Sequence, residues 1–149
     1  MRYLPLIPVL FLVLVAGCDS ADGITLDGTF QATSLIPNTG ENAPDLIPAG
    51  GSLELVFGPF DGTSGTFDGR LVVPDLGEGP RSVTFDGTYD VYTAGRHEGL
   101  SEFDVLVRLS TSADVFLDGE TLGLRGDLLV SPSPVLRPED EAYVVLRRD

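Results

Sequence analysis

The run Ser82-Val83-Thr84-Phe85-Asp86-Gly87-Thr88-Tyr89-Asp90-Val91 decides the fold. An Asp-Gly pair flanked by alternating residues is ordinarily the tip of a two-residue β-hairpin. Here that turn would set Phe85 against Thr88 and Val83 against Asp90, which puts polar side chains on the apolar face. If the strand instead runs straight through the glycine, Val83, Phe85, Gly87, Tyr89 and Val91 share one face, while Ser82, Thr84, Asp86, Thr88 and Asp90 share the other. Only this second arrangement separates apolar from polar, so the segment reads as one long strand. Glycine on the inward face of such a strand marks a bend, a bulge or close contact with a neighbour.

Asp-Gly recurs at 27–28, 61–62, 68–69 and 118–119. The same test favours a continuous strand at Gly28, with Ile24, Leu26, Phe30 and Ala32 on one face, and at Gly69, with Phe67, Leu71 and Val73. At Gly119 it favours a hairpin, because Val115 then meets Leu122 and Ala113 meets Leu124. Alternation is also plain in Phe103, Val105, Val107 and Leu109, in Leu53, Leu55 and Phe57, and in Leu122, Leu124, Leu128 and Val130. No stretch sustains a helical period. The reading is therefore all-β, with strands near 24–36, 52–58, 65–74, 82–93, 101–111, 113–119, 121–131 and 142–148. Most connections are short, the exceptions being 37–51 and 131–141. Such an order predicts a small eight-stranded antiparallel up-and-down barrel, which closes without exposed edges. An antiparallel β-sandwich is the alternative.

Eight meandering strands, a long first loop and Gly28-Thr29-Phe30 in the first strand resemble the lipocalin or calycin barrels, and most of all the short lipocalin-like lipoproteins of bacteria. The resemblance spans most of residues 24–149 and rests on pattern. That family prefers Gly-x-Trp where this chain has Gly28-Thr29-Phe30, and the chain has no tryptophan. The resemblance implies that an arginine near the last strand, Arg147 or Arg148, packs on the aromatic ring at position 30.

The amino-terminal segment supplies a second resemblance. Arg2 precedes an apolar run from Leu4 to Ala16, the layout of a secretory signal peptide. The run is shorter than the ~20 residues a membrane span needs, and Pro5 and Pro8 interrupt it. Leu14-Val15-Ala16-Gly17-Cys18 resembles the lipobox of bacterial lipoproteins: aliphatic, small, small, then cysteine. Small side chains at Ala16 and Gly17 admit a peptidase to the bond before Cys18, whose thiol takes the lipid. The resemblance implies cleavage after residue 17, a lipid-carrying Cys18, a tether over 18–23 and a single domain over 24–149. A buried or stray thiol is the alternative for Cys18. Two or three acyl chains make a durable membrane anchor where one is marginal. As the only cysteine, Cys18 leaves no thiol for a disulfide.

After residue 17 the chain carries eight arginines, no lysine and 23 acidic side chains, a formal charge of −15. Such a surface repels phosphate backbones, so nucleic acid is excluded as a partner. Asp19 resembles an inner-membrane retention signal in some bacteria and a surface-display signal in others. The expected location is the cell envelope, at the outer membrane or cell surface rather than the inner membrane.

Candidate chemistry is sparse. His97 is the only histidine and sits in the glycine-flanked Ala94-Gly95-Arg96-His97-Glu98-Gly99, which reads as a loop. Adjacent residues in extended chain point apart, so Glu98 is poorly placed to pair with it. Ser64 lacks the strand–elbow–helix frame of a serine nucleophile. Asp61 and Asp68 approach each other around the 58–65 loop, but aspartate there serves turns, and the spacing of a calcium loop is absent. No enzyme activity, cofactor or metal is expected. Two readings compete. In the first, the barrel interior, lined by Phe30, Phe57, Phe67, Phe85, Tyr89, Phe103 and Val105, holds a small hydrophobic ligand under the 37–51 loop. In the second, a solid barrel docks another envelope protein through its acidic face or an exposed Leu46-Ile47.

Overall fold

In the computed structural model, residues 25–37, 43–75, 77, 79–93, 103–131 and 143–149 are described. They form eight strands and no helix: β1 Gly28–Ile36, β2 Ser52–Phe57, β3 Ser64–Val73, β4 Arg81–Thr93, β5 Val105–Thr111, β6 Thr121–Arg125, β7 Leu128–Val130 and β8 Tyr143–Arg148. Each strand pairs antiparallel with the next, and β8 pairs with β1, closing an up-and-down barrel. A sandwich would leave two sheets with free edges; here there are none.

β4 runs unbroken through Gly87 and β3 through Gly69. Their register explains both glycines. Gly65 lies opposite Tyr89, Phe67 opposite Gly87, and Gly69 opposite Phe85. Each ring lies across the place that a β-carbon on the facing glycine would take. Three large rings thus fit side by side on the inner surface of two strands, because their partners have no side chain.

Phe57 stands at the centre of the packed interior. Its ring centroid lies 5.5 Å from Phe30 and 5.1 Å from Tyr89, both edge-on, and 5.9 Å from Phe67. Phe67 meets Phe85 edge-on at 6.2 Å. Such contacts add to the gain from apolar burial itself. Tyr89 is fully buried, and its hydroxyl donates to the Gly58 carbonyl at 2.9 Å. Burial, with the nearby charges of Asp27 and Asp61, raises its pKa. Leu53, Leu55, Val105, Val107, Leu109, Leu122, Leu124, Leu129, Val144 and Leu146 belong to the same core.

At one end of this barrel the last strand meets the segment that leads into β1. The Arg148 guanidinium carbon sits 4.9 Å from the centre of the Phe30 ring and the group donates to the carbonyls of Asp27 and Thr25. Of the two arginines expected to reach that ring, Arg148 does so. The pairing combines cation–π attraction with capping of a chain segment that has no strand partner.

Four features differ from the sequence reading. The first strand begins at Gly28, where φ is 123°, and residues 25–27 before it lie outside any strand, although Leu26 is still buried; Ile24 lies outside the described residues. Within β1 the register shifts between Ala32 and Ser34, so that Leu35, rather than its neighbours in phase with Phe30, points inward. Residues 113–119 are not a strand. They form a series of bends and turns, and the 121–131 run divides into β6 and β7 at Gly126, where φ is 61°. Aspartate supplies the reason: the Asp118 carboxylate accepts from Thr111 N–H, and Gly119 N–H donates to Leu109, which folds the segment back before it can pair. Finally, Phe103 is buried but lies outside the continuous core. Its ring covers Gly123, which sits between the inward Leu122 and Leu124 and therefore presents its outer side. Phe103 packs on the outer wall and is not an interior residue.

Candidate ligand site at the barrel mouth

The end opposite Arg148 is where β1, β3 and β5 finish and β2, β4 and β6 start, and two loops fold over it. In the first loop, Asp45 is the organiser. Its carboxylate accepts from Leu35 N–H and Ile47 N–H, both at 3.0 Å, and from the Ser34 hydroxyl at 2.8 Å. Burial pushes this carboxyl up, but the three donors together outweigh it and hold the pKa below the usual carboxylate range. With Asp45 held, Leu46 N–H donates to Leu35 and Gly51 N–H to Leu46, turning the Leu46 side chain down into the barrel. Leu46 is 1% exposed, so the expected exposed Leu46-Ile47 docking patch is overturned; Ile47 is only half-buried.

The second loop, 112–120, inserts Leu117 in the same manner, and that side chain is fully buried. Leu46 and Leu117 close most of the mouth. Between them and the wall made by β3 and β4 remains a recess of about 240 Å³. It is lined by Leu71 and Val73 of β3, Arg81 and Val83 of β4, Pro37, Pro44 and Leu46 of the first loop, and Asp114, Val115 and Phe116 of the second. Arg81 and Asp114 are exposed at its lip. They form no ion pair with each other, and no hydrogen bond or ion pair engages either side chain among the described residues. Another hollow, of about 280 Å³, lies at the β1–β2 seam, where Gln31, Ser52, Glu54 and Arg70 make it more polar than the recess.

Of the seven residues expected in the barrel interior, as core or as cavity lining, six lie in the core and one does not. Phe30, Phe57, Phe67, Phe85 and Tyr89 fill the barrel against one another, Val105 is buried in the same core, and Phe103 is outside it. None of them lines the recess. Its own lining is hidden in the sequence because the alternation of 113–119 suits a strand, which would send Val115 and Phe116 along the wall. The available signal is Asp118-Gly119 closing a short apolar run, a pattern that suits a turn stapled by its aspartate.

Asp61 holds a turn, accepting from Thr63 N–H at 3.0 Å and Ser64 N–H at 2.9 Å, bonds that depress its pKa. Ser64 opens β3, and Asp68 projects from the outer wall. Among the described residues no three His, Cys, Asp or Glu side chains gather in a way that suits a metal ion. Cys18, His97 and Glu98 lie outside the described residues. No protein-family model, curated protein or solved structure matches this chain.

Proposed function

We propose that this chain is a lipid-anchored envelope protein, held by Cys18, whose lipocalin-like barrel binds a small apolar molecule at its mouth. The observation that carries the binding half is the recess: an apolar hollow of about 240 Å³, roofed by two loops, above a core of packed aromatic and aliphatic side chains. A cavity of ~150 Å³ admits benzene, and drug-sized ligands occupy ~300 Å³ or more. The ligand on this reading is therefore small and sits near the surface. The lipobox at Leu14–Cys18 supports the anchor. So does the sense of the barrel wall. Outward rows carry Asp68, Arg70, Asp86 and Arg108 while aromatics fill the inside, the inverse of a barrel that sits in lipid.

Expression with a radiolabelled fatty acid tests the anchor: the full chain takes up label and Cys18→Ser does not. Mass spectrometry of the small molecules, polar and apolar, released on denaturing the detergent-purified protein tests the recess. Recovery of a small compound with an apolar body supports ligand binding, whereas recovery of nothing beyond the Cys18 adduct favours an accessory protein that docks a partner.

A further inference from the structure

The two charged groups at the recess lip narrow the class of ligand. Arg81 and Asp114 carry opposite charges and line the same hollow, yet they do not bridge to one another and neither side chain has another partner among the described residues. Opposite charges that face a common apolar space without neutralising each other present complementary groups for a ligand bearing both signs. We propose that the recess binds a free hydrophobic α-amino acid, its carboxylate on Arg81, its ammonium group on Asp114, and its side chain between Val83 and Phe116. This deepens the ligand-binding reading and rests on it.

Size and chemistry agree. A phenylalanine- or leucine-sized body suits about 240 Å³, whereas a long acyl chain does not. The Arg81 guanidinium offers the paired donors that a carboxylate takes up. Asp114 accepts from an ammonium group and repels a second negative charge, which disfavours dianionic heads. Among the described residues of the lip, Arg81 and Asp114 are the charged pair and their formal charges cancel, which suits a zwitterion better than a simple anion. A site that pairs both head groups discriminates against analogues lacking either one. Peptide ends have only one of the two and are poor fits.

Calorimetric titration of the detergent-solubilised full chain tests this with L-phenylalanine, N-acetyl-L-phenylalanine, L-phenylalaninamide, glycine and toluene. L-Phenylalanine is expected to bind best, the acetylated and amidated forms about tenfold more weakly, and glycine not measurably. Arg81→Gln should weaken L-phenylalanine about tenfold without further weakening the amide, and Asp114→Asn should do so without further weakening the acetylated form. Both positions are exposed, so neither substitution removes a buried contact. Equal binding of toluene and all three phenylalanine forms, unaffected by either substitution, would overturn the amino-acid assignment and leave the recess as a plain apolar site. Failure of every probe, toluene included, would overturn the recess itself.

Discussion

Phe67-Asp68-Gly69 and Phe85-Asp86-Gly87 are the same tripeptide on antiparallel neighbours. Because Asp68 lies opposite Asp86, each phenylalanine lands opposite the other's glycine. Alternation along each strand rejects a hairpin at its own Asp-Gly, since an inward apolar row tolerates only one register. What periodicity could not supply was the pairing of each glycine with a particular ring, which is a property of two strands together. The two glycines are not equivalent. A β-carbon at Gly69 meets the tip of the Phe85 ring, whereas one at Gly87 meets the Ser110 carbonyl oxygen of the backbone as well as Phe67. Side chains yield more readily than backbone, so Gly69→Ala should cost about 1–2 kcal/mol and Gly87→Ala about 3 kcal/mol. Urea midpoints that rank the two in the opposite order would contradict this packing. The same register places two carboxylates side by side on the outer wall, a repulsive cross-strand pair. Asp86→Lys should raise the melting temperature by about 1–4 °C at low salt, and the gain should shrink as ionic strength rises.

Among the elements, the strands follow from alternation, but the two mouth loops do not. Residues 43–51 and 112–120 are shaped by aspartate carboxylates that accept from backbone N–H groups several residues away, and such bonds leave no period in the sequence. Asp45 is the clearer case, because it joins the end of β1 to its loop and sets Leu46 as a plug. Its depressed pKa gives a signed prediction. A carboxylate whose folded pKa is lowered contributes stability that is fully present above its unfolded value and is lost as pH falls through the folded one. Asp45→Asn should therefore destabilise the protein at pH 7, by about 1–2 kcal/mol given the partial exposure of the site. The difference from the parent should diminish as pH drops below about 4. A difference that stays constant between pH 7 and pH 3 would show that the carboxylate charge is not what holds the loop.

The whole molecule has two unlike ends, and the proposed anchor joins one of them. Thr25 lies at the end where Arg148 covers Phe30, and the recess opens at the other. Residues 19–24 span at most about 20 Å when extended, so a lipid on Cys18 keeps the Arg148 end near the bilayer. β4, thirteen residues long, sets the height of the wall. At ~3.3 Å per residue and a tilt of ~40°, the mouth stands about 30 Å farther out. The site then faces away from the membrane and meets solutes rather than lipid chains, which suits a small water-borne ligand better than an extracted lipid. Fluorophores placed by cysteine substitution distinguish the two ends: Asp127→Cys in the β6–β7 turn, and Glu120→Cys beside the mouth. With the protein anchored in vesicles containing a headgroup quencher, emission from position 127 should fall strongly, while that from position 120 changes little. Equal quenching at both would mean that the barrel lies on its side, and the recess would then be exposed to the lipid surface after all.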